Sequence, residues 1–340
     1  MGVFDFAGKD LLRTPDWPEE ALDRVLEVAK EMKAHRFDPR YLDLCKGKTM
    51  LMLFYSESSR TRQSFEAAMT ELGGHAQFLE PQKMRLQTKT YRGELVKDTA
   101  GVMSRYGQAI GVRIAEDKLS YYGEGYALIK EYADWASVPV INMCDDTYHP
   151  CQALADLMAL QEAFGRREFR GMKFLHVWGY SPTKARSWCS VQESLLLQSR
   201  YGWDITLAYP PGFDLDPRIV EESQAYAAVA GGRFQITHDL EEAYRGAHVV
   251  YSRNWMSPRR YEIGMEEELK SYEPYKHWCT TSELMAKTES AYFVHPMPVE
   301  RGFEVTDEVA DSDRSLIYEQ AENRLHVQKA ILALVLGALR

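Results

Sequence analysis

The sequence predicts an α/β protein made of two doubly wound domains, each a parallel sheet covered by helices. Three observations lead there. Short apolar runs of strand length alternate with longer segments of helical period along most of the chain. The alternation occurs twice, with a second series opening near residue 171. The length, 340 residues, allows about two domains, each large enough for its own core.

Residues 16–36 read as an amphipathic helix. Asp16 or Thr14 is the expected cap, Pro18 suits the first turn, and Leu22, Val25, Leu26, Val28, Ala29 and Met32 supply the apolar face. Residues 48–55 form a short β-run with a mostly apolar centre, as expected of a strand buried on both faces. Ser58-Ser59-Arg60-Thr61-Arg62 follows it and leads into a helix-like run over residues 64–72. A strand that turns into a helix leaves first-turn N–H groups unpaired at the positive end of the helix dipole. Hydroxyls at 58, 59 and 61 and a guanidinium at 60 surround that spot with donors, the chemistry of a phosphate or carboxylate cradle. Alone, five polar residues fit an ordinary helix start better, so the rest of the chain has to decide.

Gly73-Gly74 stops the helix and residues 75–79 read as the next strand. Residues 81–99 carry Lys83, Arg85, Lys89, Arg92 and Lys97 with little periodicity and read as a basic loop. Residues 98–106 look helical, 109–114 strand-like with Arg113 near the end, 119–135 helical and 138–143 strand-like, ending in Asp145-Asp146-Thr147-Tyr148. In parallel sheets ligands sit beyond the carboxyl ends of strands. The 58–62 motif, Arg113 and the segment after Met143 all fall at such ends. That segment, His149-Pro150-Cys151-Gln152, runs into a helix over 153–164, with Pro150 in its first turn and His149 and Gln152 projecting from its entrance.

The second series has strands at 171–178, 204–209, 234–237, 248–252 and 291–294, with helices at 185–201, 217–229 and 240–244. The strand at 291–294 leads into His295-Pro296-Met297-Pro298, again a polar group at a carboxyl end. Residues 319–339 form a long final helix with Leu325, Ala330, Ile331, Leu334, Val335 and Leu336 on its apolar face. The expected division is 1–150, 151–318 and the helical segment 319–340.

Apolar content of 45% and charged content of 27% are those of an ordinary globular protein, and a net charge of −9 argues against a nucleic-acid surface. Five cysteines, Cys45, Cys144, Cys151, Cys189 and Cys279, are odd in number and lack C-x-x-C spacing. They make neither a disulfide framework nor a zinc site, so a reducing cytoplasm is expected. The N-terminus has an early acid and no long apolar core, unlike a signal peptide, and the apolar run 330–339 is too short to span a bilayer. A dinucleotide-dependent dehydrogenase lacks support, since no G-x-G-x-x-G follows either first strand.

Ser58-Ser59-Arg60-Thr61-Arg62, Arg113, His149-Pro150-Cys151-Gln152, His295-Pro296-Met297-Pro298 and Glu322-Asn323-Arg324 occur in the order seen in aspartate and ornithine carbamoyltransferases. The resemblance covers nearly the whole chain in five separated motifs. It implies a carbamoyl phosphate-binding domain, an acceptor-binding domain, a final helix returning to the first, and a homotrimer with active sites between subunits. It also implies a carbamoyl phosphate site of Ser58, Ser59, Arg60, Thr61, Arg113, His149, Gln152 and Arg324. Backbone carbonyls near Pro296 and Met297 would accept from the carbamoyl NH2. The 81–99 loop resembles the basic loop that a neighbouring subunit supplies in the family, with Thr88 and Arg92 where aspartate-type enzymes have serine and lysine. Arg60, Thr61, Arg113, His149 and Gln152 are the expected catalytic set. The chemistry needs fixed donors around developing charge, and no cofactor, metal or covalent nucleophile is expected.

For the second substrate the motifs depart from the ornithine type. Ornithine enzymes carry His-Cys-Leu-Pro and Asp-x-x-x-Ser-Met-Gly; here stand His295-Pro296-Met297-Pro298 and Arg253-Asn254-Trp255-Met256-Ser257-Pro258. A cation at 253 repels the ornithine ammonium and welcomes a carboxylate or acyl oxygen. The stretch 249–255 is similar to that of the N-acetylornithine and N-succinylornithine enzymes, and of knotted carbamoyltransferases of unassigned substrate. That similarity implies a knotted second domain, with Tyr180-Ser181-Pro182-Thr183-Lys184 as its proline-containing loop. Arg253, Trp255, Lys184 and Met297 are the expected acceptor contacts, with Arg186, Arg259, Arg260 and Arg301 as further cations. The expected activity is carbamoyl transfer between carbamoyl phosphate and a small carboxylate-bearing amino or ureido compound, including ureidoglycine or ureidoglycolate types. An N-acylornithine carbamoyltransferase and a catalytically silent carbamoyl phosphate-binding regulator are the alternatives.

Overall fold

The computed structural model describes residues 4–86, 92–115 and 118–339. The chain forms two compact units, Met1–Ala155 with Glu322–Arg340, and Asp156–Ala321. The boundaries fall inside helices Pro150–Phe164 and Ile317–Val335.

The first unit holds a four-stranded parallel sheet of β1 (Thr49–Phe54), β2 (His75–Leu79), β3 (Ala109–Arg113) and β4 (Val140–Cys144), in the order β2-β1-β3-β4. The chain steps outward from β1 to β2, then returns past β1 to place β3 on its other side. The direction of winding therefore reverses between β1 and β3, where open α/β sheets leave a crevice. Met50 to Phe54 are all buried, which matches their continuous apolar run.

In this unit two helices start later than the sequence pattern suggests. The first is Glu19–Ala34, entered through Pro18; Thr14–Asp16 is a separate 3-10 turn. A residue before proline is pushed towards extended backbone, and Trp17 is extended at φ −109°, so the helix cannot continue back to Asp16. The other is Glu124–Trp135, which follows Gly123 at φ 88°. Its first turn closes on Asp146, which accepts from Gly123 N at 2.5 Å; a Cβ at Gly125 would meet Asp146 Oδ1 at 2.7 Å. That cap is a long-range partner, invisible in local periodicity.

Helix Ile317–Val335 is tied to the first unit by buried Lys329, whose Nζ donates to Arg36 O at 2.9 Å and lies 3.1 Å from Glu71 Oε2. Arg36 also pairs with Glu71, at 2.6 Å.

The second unit holds β5 (Lys173–Trp178), β6 (Asp204–Ala208), β7 (Phe234–Thr237), β8 (Ala247–Arg253) and β9 (Tyr292–Val294), all parallel in the order β7-β6-β5-β8-β9. Winding reverses here between β5 and β8. Cys189 to Ser199 of helix Cys189–Arg200 are buried all round. Phe169 and Trp203 stack at 4.1 Å elsewhere in this core. Helix Arg260–Tyr272 had no sequence signature. Only Glu268 and Tyr272 of it are buried, and Gly264 interrupts its helical backbone (φ 81°, ψ 169°), so no apolar face of period 3.6 exists to be read. Among the described residues no helix is long and apolar enough to cross a membrane.

Candidate active site

In the first unit the polar groups gather where β1 and β3 end. Ser58 caps helix Ser59–Glu71: its Oγ accepts from Thr61 N at 3.3 Å and donates to Thr61 Oγ1 at 3.1 Å. Ser59 and Arg60 occupy the first turn, exposed and half-buried respectively. Arg62 is turned elsewhere, with Nε 2.9 Å from Glu66 Oε1 and its guanidinium 3.9 Å over the Phe78 ring.

Arg324, from helix Ile317–Val335, completes the group. Its Nη2 donates to Thr61 Oγ1 at 3.0 Å and its Nη1 to Gln152 Oε1 at 3.3 Å; all three side chains are buried. Two donors, Ser58 and Arg324, now occupy the lone pairs of Thr61 Oγ1. The Thr61 hydroxyl proton is left to donate.

His149 and Gln152 are set by the turn after β4. Asp145 accepts from Asn142 Nδ2 at 2.7 Å and from the N–H groups of Thr147 and Tyr148 at 2.5 and 2.6 Å. The chain then enters helix Pro150–Phe164, with His149 O accepting from Gln152 N at 3.0 Å. His149 is buried at this entrance.

Arg113 closes β3. Its carbonyl accepts from Tyr55 N at 2.9 Å; the residue is half-buried and its buried Nε has no hydrogen-bond partner among the described residues. It lines a cavity of about 380 Å³ with Ser56, Glu57, Lys83 and Lys118. Lys118, five residues beyond the end of β3, carries no local sequence pattern that marks it. Of the expected loop residues, Arg92 is exposed and Thr88 lies outside the described residues.

In the second unit the counterpart lies at the ends of β5, β8 and β9. Arg253, the last residue of β8, is buried, and its Nε and Nη1 have no hydrogen-bond partner among the described residues. Asn254 Nδ2 donates to Gly179 O at 3.0 Å, and its Oδ1 accepts from Arg186 N at 3.2 Å. Trp255 is fully buried with its indole N–H on Phe213 O at 2.9 Å, so its side chain has no polar atom left for a ligand. Lys184 is exposed.

His295 follows β9. Its Nδ1 accepts from Met297 N at 2.9 Å, which leaves the proton on Nε2, 3.2 Å from Glu304 Oε2. Met297 has φ 57°, a left-handed conformation uncommon for a side-chain-bearing residue. Burial raises the Glu304 pKa, but the close contact with His295 Nε2 and the charges of Arg253 and Arg186 outweigh it and hold the carboxyl at about 2. Burial lowers the His295 pKa, with the two arginines adding to it against the pull of Glu304, so the ring is neutral. Glu304 was absent from the sequence-derived set, since nothing around it resembles a motif.

The structure thus joins Ser58, Thr61, Gln152 and Arg324 directly, and links Arg253 and Met297 through neighbouring residues. Comparisons with known proteins agree with this architecture. Residues 9–162 match the family model described as the aspartate/ornithine carbamoyltransferase carbamoyl-P binding domain, and residues 173–335 match the Asp/Orn binding domain of the same family. An anabolic ornithine carbamoyltransferase of Pyrococcus furiosus is 38% identical over 340 residues, covering 99% of both chains. An N-acetylornithine carbamoyltransferase of Xanthomonas campestris pv. campestris is 35% identical over 342 residues, covering 98% of this chain and 99% of its own. The crystal structure of acetylornithine transcarbamylase complexed with acetylcitrulline superposes with a TM-score of 0.89 at 35% identity, covering 96% of this chain and 98% of that one. The chain is a carbamoyltransferase and belongs to the aspartate/ornithine carbamoyltransferase family.

Proposed function

We propose that this carbamoyltransferase moves the carbamoyl group of carbamoyl phosphate to the side-chain amine of a small carboxylate-bearing amino acid whose α-nitrogen carries no positive charge, as in an N-acylated ornithine. The observation that carries this reading is Arg253: a buried guanidinium at the end of β8 with two nitrogens lacking a partner among the described residues. Such a group costs free energy unless an anion or acyl oxygen satisfies it, and it repels a free α-ammonium. The ureidoglycine and ureidoglycolate types are not supported by the relatives described above, which are ornithine and N-acetylornithine enzymes.

On this reading Ser58, Ser59, Arg60 and the helix N-terminus hold the phosphate, where unpaired N–H groups and the dipole favour an anion. Thr61, Arg113 and His149 serve the carbonyl oxygen. Thr61 suits that role because its lone pairs are already taken by Ser58 and Arg324. Gln152, whose Oε1 accepts from Arg324, is the group assigned to the carbamoyl NH2. The acceptor amine attacks the carbonyl carbon and a C–N bond forms as charge builds on oxygen. The C–O bond to phosphate then breaks and the amine loses a proton. Donors aimed at the developing charge, together with orientation, supply the acceleration.

A homotrimer, a knotted path through the second unit and a cytoplasmic location belong to the same reading. For the knot, support comes from the bonds between the 178–188 and 254–256 segments: Trp178 Nε1 to Trp255 O at 2.9 Å, Met256 N to Arg186 O at 2.9 Å and Trp188 Nε1 to Met256 O at 2.6 Å.

The test is phosphate release from carbamoyl phosphate with N-acetylornithine, N-succinylornithine, ornithine and aspartate, and the reverse reaction with ureido acids. Turnover of an N-acylornithine well above ornithine is expected. Preference for ornithine, or reaction with ureido acids alone, overturns the acceptor assignment. Carbamoyl phosphate binding with no turnover identifies a silent regulator.

A further inference from the structure

We propose that Glu304 is a positioning residue for the acceptor, holding the Arg253 strand end and the His295–Met297 turn in one fixed arrangement. The proposal rests on the reading of Arg253 given above.

Glu304 is fully buried, and each of its oxygens is committed to a different segment. Oε1 accepts from Asn254 N at 2.7 Å, the residue directly after Arg253. Oε2 accepts from Glu300 N at 2.9 Å and makes a 3.2 Å contact with His295 Nε2 that lacks hydrogen-bond geometry. His295 passes the constraint on, since its Nδ1 accepts from Met297 N at 2.9 Å and so steadies the left-handed backbone there. The Glu304 carbonyl is used as well, accepting from Thr280 N at 2.9 Å and Ser252 Oγ at 3.2 Å. Its stem packs on the end of β5, where a Cβ on Gly179 would meet Glu304 Cγ at 3.1 Å.

Charge explains why a carboxylate is used. Arg253 and Arg186 both lower the Glu304 pKa, while His295 is neutral, so Glu304 is the anion that answers the two guanidiniums electrostatically. A carboxamide at 304 would remove that charge and turn an N–H donor towards one of the backbone N–H groups or His295 Nε2–H. Arg253 would then lose its local anion, and with it would go either the bond that seats Asn254 or the contacts of Oε2.

The experiment measures steady-state kinetics with N-acetylornithine as acceptor for the wild type, Glu304→Gln, Glu304→Asp, Arg253→Ala and the Glu304→Gln/Arg253→Ala double variant. Carbamoyl phosphate affinity is measured separately by calorimetry. Glu304→Gln is expected to raise the acceptor KM about 10- to 100-fold, the scale on which small misplacements act. Carbamoyl phosphate affinity should change less than about threefold, as for groups that share no partners. Glu304→Asp, which keeps the charge, should recover part of the acceptor KM. In the Arg253→Ala background Glu304→Gln should add little, because the two changes remove one function. Arg253→Ala raising the acceptor KM while Glu304→Gln leaves it unchanged overturns this proposal and leaves the Arg253 reading standing. An unchanged KM in Arg253→Ala, or no turnover of N-acetylornithine by the wild type, removes the reading itself. Equal losses of carbamoyl phosphate and acceptor binding in Glu304→Gln, or effects fully additive with Arg253→Ala, reduce Glu304 to a purely structural role and overturn the proposal.

Discussion

The two units carry polar groups at equivalent places, the carboxyl ends of strands beside a reversal of winding, yet they build them differently. At the end of β1 stand a helix N-terminus, the hydroxyls of residues 58, 59 and 61 and the guanidinium of Arg60, braced by Arg324. At the ends of β8 and β9 it is done by buried charges, Arg253, Arg186 and Glu304, which lie far apart in sequence. The first design suits a multiply charged anion, which any array of N–H and O–H donors can hold. The second suits discrimination, because a buried guanidinium accepts only a partner that satisfies it. On the proposed reading, donor binding rests on a local motif and acceptor choice on packing.

The largest expected effect breaks the first region alone. Arg60→Ala should abolish detectable carbamoyl phosphate binding in calorimetry; unchanged affinity would remove the 58–62 motif from the site. Thr61→Val keeps the volume but deletes the hydroxyl that Ser58 and Arg324 force into donation. A loss of about 10²–10³ in kcat is expected, as for removal of one donor to a developing oxyanion.

The next sharpens the contrast. Arg253→Gln should raise the acceptor KM about tenfold or more, with carbamoyl phosphate affinity nearly unchanged, since the altered charge belongs to the second unit's group. A parallel loss of both affinities would show that the two groups do not act separately.

Acid stability separates the regions by a milder effect. The folded Glu304 pKa is held at about 2, below its ordinary 4.5. A depressed carboxyl contributes stability that is fully present above about pH 4.5 and is lost as pH falls towards 2. Melting temperatures of wild type and Glu304→Gln should differ most at pH 7 and converge on acidification. A gap independent of pH would show that the charge of Glu304 is not what stabilises the unit.

The smallest effect concerns the cap. Ser58→Ala removes the acceptor for Thr61 N and should cost about 1 kcal/mol of stability in denaturant unfolding, as N-cap losses do. A larger kinetic effect than Arg60→Ala would reverse the ranking of cap and guanidinium.

Much of the architecture could be read directly. The continuous apolar run at Met50 to Phe54 belongs to a strand buried on both faces, and the motif after it belongs to the helix start it resembles. Helix Arg260–Tyr272 could not be read, because it buries too few side chains to leave a period. Arg324 became a site candidate only through resemblance, since its bonds to Thr61 and Gln152 span 263 and 172 residues. Trp255 invited a ligand role, but the fold spends its indole on Phe213 O.

By itself the sequence determined the α/β class, the parallel sheets and the helix start after β1, because each follows from hydrophobic periodicity or from the chemistry of adjacent residues. Only the tertiary structure decided that the Thr61 hydroxyl is left to donate, how Arg253 is buried, and that Glu304 answers it. Those depend on hydrogen bonds and charges between distant segments, and a carboxylate has no distinctive role until burial removes water and leaves the arginines as its neighbours.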